Sequence, residues 1–299
     1  MKRHILYLVN PIAGTRSKDG LKSFLQKQTE AAGVDHSIHH STAGLDSHTL
    51  NQWIEEDGAT DLVVCGGDGT VNMAAKALQR SKTNLGIIPV GSGNGLARSA
   101  GIPLKPTSAL KVVLNGNVQE TDAFEVNSLF SCMLSGIGLD AAVAEQFAKS
   151  TKRGLYAYTT QTLLQFFKAN PYQFGIELPG FSFYSDAFFI SIANSNQFGN
   201  NVTIAPKASL CDGLLDVVIV QKMPKAGMPI AVLRQIRGNN ALQTLAEAVG
   251  KRNVLYFQTP EIIIKNSQLA PMHIDGDPCE TAGTIKAKIN PGVLRLLVP

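Results

Sequence analysis

The residues that bind and move phosphate stand out first. In Val63-Val64-Cys65-Gly66-Gly67-Asp68-Gly69-Thr70-Val71-Asn72 an apolar run feeds through a glycine-rich turn into an amphipathic stretch. Glycine lets the backbone approach a phosphate closely, and the helix N-terminus that follows offers free N–H groups and a positive dipole end. An ordinary tight turn needs the same glycines, so both readings stand on spacing alone. Asp68 tips the balance toward phosphate chemistry. A carboxylate among phosphate-cradling amides is repulsive unless a cation or an acidic proton stands between them, as in Mg²⁺-assisted phosphoryl transfer. Neither G-x-x-x-x-G-K-[ST] nor G-x-G-x-x-G occurs in the chain.

These residues need a scaffold, and the first 120 residues spell one. Strands are expected over 5–9, 35–40, 61–65 and 84–89, and helices over 20–32, 47–56 and 70–79. Such alternation implies a parallel sheet with right-handed crossovers. Ligands of these sheets sit beyond the strand C-termini, where the loops 10–16, 66–70 and 91–94 fall. After Asp122 the pattern changes to strand-sized pieces over 123–126, 129–135, 174–178, 186–194, 215–220, 254–258, 261–265 and 283–289, broken by helices expected over 156–169 and 229–249. The fold class read from this is an α/β N-terminal domain, residues 1–122, followed by a mostly antiparallel, sandwich-like β domain, residues 123–289. The tail 290–299 is a candidate to rejoin the first domain.

Composition bounds the rest. With 299 residues, 44% hydrophobic and 17% charged, the chain has the apolar content of a globular protein and too few charges for disorder. No apolar run approaches the ~20 residues of a spanning helix. Met1–Val9 imitates a signal-peptide head, but Asn10-Pro11 ends the run early and it reads as a first strand. Cys65, Cys132, Cys211 and Cys279 lie far apart, which argues against a zinc site or disulfide framework and fits a reducing cytoplasm. His36, His39 and His40 lack a carboxylate at ligand spacing and are set aside as metal ligands. A net charge of +4 does not call for nucleic acid. Basic residues do cluster between 221 and 252 (Lys222, Lys225, Arg234, Arg237, Lys251 and Arg252, against Glu247), as a solvated flank or as a face for an anionic surface.

The glycine turn resembles the nucleotide-binding motif of the diacylglycerol kinase catalytic-domain family, which includes bacterial lipid kinases and the sphingosine and ceramide kinases, and which shares its fold with NAD and 6-phosphofructo kinases. Further segments match in the family's order. They are Asn10-Pro11-Ile12-Ala13-Gly14, the run from Pro89 to Arg98, the run from Ala205 to Val217, and Asp275-Gly276-Asp277-Pro278. Asp277 stands where the family usually has glutamate, one methylene longer.

The resemblance implies ATP contacts from Asn10, Pro11, Gly14, Thr42, Gly66, Gly67, Asp68, Gly69, Thr70, Asn72, Ser92, Gly93 and Asn94. Thr42 equally reads as a strand-end residue and Asn94 as a helix cap. It implies a Mg²⁺ site from Asp212 with the carbonyls of Ser209 and Leu214, although Asp212-Gly213 is also a favoured hairpin turn. Asp68, Asp275 and Asp277 become the candidate catalytic carboxylates, one of which would accept the proton of the acceptor hydroxyl. Asp122 and Asp140 become candidates to meet the acceptor, with strand start and helix cap as their other readings. Gly136–Asp140 and Lys152–Tyr158 look like segments of the lipid side.

The implied activity is transfer of the γ-phosphoryl group of ATP to a lipid hydroxyl, by a cytoplasmic enzyme peripherally attached to the membrane, with a homodimer left open. A soluble-metabolite kinase of the NAD kinase type and a nucleotide sensor that has lost catalysis are the competing readings.

Overall fold

The structure, a computed structural model, describes residues 2–14, 20–42, 44–149, 169–197, 203–244 and 248–299. Its contacts divide the chain into two units, Met1–Asp122 with Pro291–Pro299, and Ala123–Asn290.

In the first unit, β1 (His4–Val9), β3 (Asp61–Gly66) and β4 (Asn84–Pro89) are apolar and buried along nearly their whole length, as strands covered on both faces must be. They pair in parallel, with β2 (Asp35–His40) beside β1. The polar sequence of β2 suits its half-buried place at the sheet edge. The crossovers are α1 (Leu21–Ala31), α2 (Ser47–Glu56) and α3 (Asp68–Ala77), and α4 (Gly95–Ser99) and α5 (Pro106–Asn115) follow β4. On α2 the apolar spacing turns Leu50 and Ile54 inward, and the Asp46 carboxylate caps the helix by accepting the Thr49 N–H at 2.8 Å. The chain leaves this unit within β5 (Asn117–Val126) and re-enters it within β15 (Thr284–Val298), which pairs in parallel with β4 at Leu296 and Leu85.

The second unit is antiparallel. A two-strand ladder of β6 (Leu129–Ser131) with β5 precedes β7 (Leu134–Gly138), β8 (Tyr172–Leu178) and β9 (Phe181–Ala193). Then come β10 (Leu215–Gln221), β11 (Val254–Thr259), β12 (Glu261–Lys265), β13 (Met272–Ile274) and β14 (Asp277–Cys279). Alternate residues of β10 join different apolar clusters: Val217 and Ile219 pack with Phe174, Ile190 and Ile264, and Val218 and Val220 with Phe188, Met228 and Tyr256. Burial on both faces of one strand is what a layered core requires. Helix α6 (Leu139–Lys149) follows β7, and α7 (Met228–Ile236) follows β10. A parallel α/β part and an antiparallel, sandwich-like part are the fold class that the sequence implies.

Helix α5 has no counterpart in the sequence reading, β5 and β9 start earlier than expected, and two further elements differ for identifiable reasons. The helix expected over 229–249 stops at Ile236, because Gly238 takes a left-handed φ of 71° and ends it as a C-terminal glycine does. The strand expected over 129–135 breaks into β6 and β7, since the N–H groups of Cys132, Met133 and Leu134 turn onto the Asp275 carboxylate. Residues 156–168 of the other expected helix, and Lys152–Tyr158 with them, lie outside the described residues.

Candidate active site

Three loops at the C-terminal ends of β1, β3 and β4 are locked together by glycines. A Cβ on Gly91 would collide with the Gly67 Cα, one on Gly14 with the Val90 carbonyl oxygen, and one on Gly93 with the Asp68 carboxylate. Only hydrogen in place of a side chain allows backbones this close. Gly66 contributes its carbonyl, which accepts the N–H groups of Val90 and Gly91 at 3.1 and 3.2 Å. Asn10 closes the other side: its Nδ2 donates to the Thr70 hydroxyl at 2.8 Å, and its Oδ1 accepts the Ile12 N–H at 3.0 Å. The first turn of α3 points into this cluster with no side-chain cap on Gly67, so its leading N–H groups keep the anion-binding character of a helix start. Pro11 in the loop after β1 and Ser92 in the loop after β4 are exposed, Asn72 is half-buried, and Thr42 lies exposed beyond β2.

Asp68 and Asn94 differ from the expectation. Asp68 spends both oxygens on the start of α4, accepting the Asn94 N–H at 2.9 Å and the Gly95 N–H at 2.6 Å. It therefore ties the β3 loop to the β4 loop instead of facing outward alone. Asn94 is in a left-handed conformation and makes no side-chain cap on α4; its amide grips Gly91 twice, at 3.0 and 2.8 Å. Asp122 is buried in the first unit and accepts the Gly292 N–H at 2.8 Å, which fastens the returning strand.

In the second unit, Asp275 accepts the Ser131 hydroxyl at 2.7 Å and the N–H groups of Cys132, Met133 and Leu134 at 3.2, 3.1 and 2.8 Å. That carboxylate organises a loop. Asp277, at the start of β14, is exposed, whereas Asp68 and Asp275 are half-buried. Asp140 is buried, and its Oδ2 lies 3.6 Å from Nε2 of His273.

Asp212, Ser209 and Leu214 form a turn in which Asp212 Oδ1 accepts the Leu214 N–H at 3.1 Å. Across the β10–β11 ladder, one amide nitrogen of Gln258 donates to both Asp212 Oδ2 and Asp216 Oδ2, at 3.1 and 3.0 Å. Asp216 also receives the Tyr256 hydroxyl at 2.6 Å. Burial pushes the Asp216 carboxyl up to about 6, and the nearby Asp212 charge adds to it. Two carboxylates sharing one neutral donor suit an oxygen-seeking cation. Sequence reasoning missed Gln258, Tyr256 and His273: the first two meet Asp216 only through strand register and leave no signal, whereas His273 carried one in its place two residues before Asp275.

Residues 4–126 match the family model described as "Diacylglycerol kinase catalytic domain", and residues 134–298 match "YegS C-terminal NAD kinase beta sandwich-like domain". A Pseudomonas putida protein named "Probable lipid kinase YegS-like" is 31% identical over 81% of this chain and 78% of its own. A Bacillus subtilis protein named "Diacylglycerol kinase" is 28% identical over 93% of this chain and 90% of its own. The crystal structure of a diacylglycerol kinase from Bacillus anthracis superposes with a TM-score of 0.75 at 19% identity, covering 99% of this chain and 97% of that one, which shows the shared fold. Motif order, glycine-locked loops and both halves of the chain agree: the protein belongs to the diacylglycerol kinase catalytic-domain family, with the YegS-type C-terminal half.

Proposed function

We propose that this protein is a lipid kinase that transfers the γ-phosphoryl group of ATP to the hydroxyl of diacylglycerol or a related lipid. The observation that carries the reading is the glycine-locked loop cluster at the uncapped start of α3. Its close backbone approaches leave a cradle without side chains, which fits a polyphosphate. The loops of Gly14, Gly67 and Gly91 hold the nucleotide, Asp68 fixes their spacing, and Asp277 accepts the proton of the lipid hydroxyl. Bound Mg²⁺ supplies charge neutralisation on the phosphates. The protein's share is positioning, because phosphoryl transfer leaves little covalent chemistry to the chain.

Incubation with γ-labelled ATP and a mixed lipid extract is expected to place label in an organic-soluble product. Label in a soluble metabolite would favour the NAD kinase type, and ATP binding with no transfer would favour a sensor.

The Asp212 turn is the proposed seat of a structural Mg²⁺. Added Mg²⁺ is expected to raise the thermal midpoint of the wild type and to leave that of Asp212→Asn in place, in scans without nucleotide. Equal shifts in both proteins would remove the metal from this turn.

A cytoplasmic enzyme acting on a bilayer lipid has to reach the membrane surface, and no helix among the described residues is long and apolar enough to cross a membrane. The docking face proposed is α7, where Ile230 and Leu233 are 63% and 44% exposed beside exposed Arg234 and Arg237. Apolar side chains flanked by arginines match an interfacial, anionic surface, at ~1 kcal/mol per basic residue near it. In vesicle co-sedimentation, the Arg234→Glu, Arg237→Glu double variant is expected to lose most binding to anionic liposomes, and the wild type to lose it in high salt. Binding indifferent to lipid charge, salt and the double substitution would make this face a solvated flank.

A further inference from the structure

Two buried polar side chains of the second unit face each other across a glycine. His273 on β13 is 4% exposed and Asp140 at the start of α6 is 7% exposed, with Nε2 and Oδ2 3.6 Å apart. Asp140 Oδ1 accepts the Ala141 N–H at 2.8 Å, while Oδ2 has no hydrogen-bond partner among the described residues. Gly136 on β7 makes the room, since a Cβ there would collide with both side chains. Burial raises the Asp140 carboxyl above the usual carboxylate range, and His273 opposes that rise.

The far side of the same ring reaches the acid-bearing turn. His273 Nδ1 accepts the Gly276 N–H at 3.2 Å, and the His273 carbonyl accepts the Ser135 hydroxyl at 2.8 Å. An acceptor at Nδ1 puts the proton of the neutral ring on Nε2, toward Asp140. Gly276 lies between Asp275 and Asp277, and both Asp275 and Gly276 are left-handed, with φ of 50° and 89°. Glycine takes this conformation freely, whereas Asp275 holds it at a cost that its surroundings must meet. Ala141, Met272 and Pro278 line a cavity of about 440 Å³, so Asp140, His273 and Asp277 each stand one residue from its wall.

We propose that His273 is a positioning residue for phosphoryl transfer: seated by Asp140, its ring holds the Gly276 N–H and thereby aims the Asp277 carboxylate. The proposal rests on the lipid-kinase reading above. It differs from a packing histidine in what it predicts, because a packing role changes the melting temperature and has no reason to prefer one nitrogen of the ring.

The test compares full-length His273→Ala, His273→Asn and His273→Gln in steady-state transfer from ATP to the lipid that the wild type phosphorylates. The Asn amide oxygen falls near the place of Nδ1 and can still accept the Gly276 N–H, whereas the longer Gln amide falls near Nε2. His273→Ala is expected to lower kcat by about tenfold or more with KM for ATP unchanged, as for a group that acts on the transition state through its aim. His273→Asn is expected to recover most of that kcat and His273→Gln little of it. Recovery by Gln instead of Asn, or wild-type kcat in His273→Ala, overturns the proposal. The ¹⁵N shifts of the His273 ring provide a readout without turnover. A proton on Nδ1 overturns the proposal whatever the rates, and a bare Nδ1 supports it. A wild type with a bare Nδ1 that labels no lipid instead sinks the lipid-kinase reading.

Discussion

Asp68→Ala is expected to cut phosphate transfer at least ~10²-fold, since displacing reacting groups by about 1 Å already costs that much. The carboxylate accepts two N–H groups at 2.9 and 2.6 Å from the buried start of α4, and so adds a charge-assisted tie between the loops after β3 and β4. Truncation leaves both donors unpaired, at about 1–3 kcal/mol each, so the melting temperature should fall by several degrees while the protein stays folded. Asp68→Asn retains one acceptor but turns an NH₂ toward the second N–H, and should lie between alanine and wild type. The measurements are ATP affinity by calorimetry and transfer rate on protein shown to be folded. A folded Asp68→Ala protein that binds ATP and transfers phosphate at the native rate would take Asp68 out of the mechanism.

The two acids of the 275–277 turn should separate cleanly. Asp275→Ala is expected to destabilise the protein by about 3–5 kcal/mol in denaturant unfolding. It removes the acceptor of one hydroxyl and three backbone N–H groups and puts alanine at a φ of 50°, a region that aspartate tolerates better. Asp277→Ala, at an exposed position, should leave stability within about 0.5 kcal/mol and lower kcat by ~10²-fold or more, as loss of a general base does. Asp277→Glu should retain or raise activity, because it restores the side chain that the family usually carries. An Asp275→Ala protein as stable as wild type, or an Asp277→Ala protein as active, would reverse these assignments. A loss in Asp277→Glu as deep as in Asp277→Ala would mean that the site is built around the shorter acid.

How much of this the sequence disclosed depends on whether the determining contact was local. The strand–turn–helix units of the first unit were legible because burial on both faces gives unbroken apolar runs such as Leu62–Cys65, and because glycines mark the turns. The roles within the site were less so. Asp68 reads as a cation-facing carboxylate until the loop carrying Asn94 is brought against it, a contact 26 residues away in the chain. Asp275 holds Ser131 across 144 residues, and Asp216 meets Gln258 across 42, and neither pairing leaves a trace in spacing. The α7 helix was overextended because its apolar periodicity continues past Gly238, whose left-handed backbone wins over the pattern.

The first unit is fastened by a bond that spans 170 residues, from the Gly292 N–H to Asp122. Its timing follows from synthesis. At roughly 5–20 residues per second, the ribosome takes roughly 10–30 s to make the intervening chain. During that interval the side of β4 that β15 will occupy, where buried Leu85 will meet Leu296, is an unpaired strand edge of the kind that recruits neighbouring chains. Closing so large a loop is also slow in refolding, so pulse-labelled hydrogen exchange should find amide protection at Leu296 arriving after that of β1 and β3. A unit that is early in sequence is thus late in completion, and the edge of β4 stays unpaired until β15 is in place.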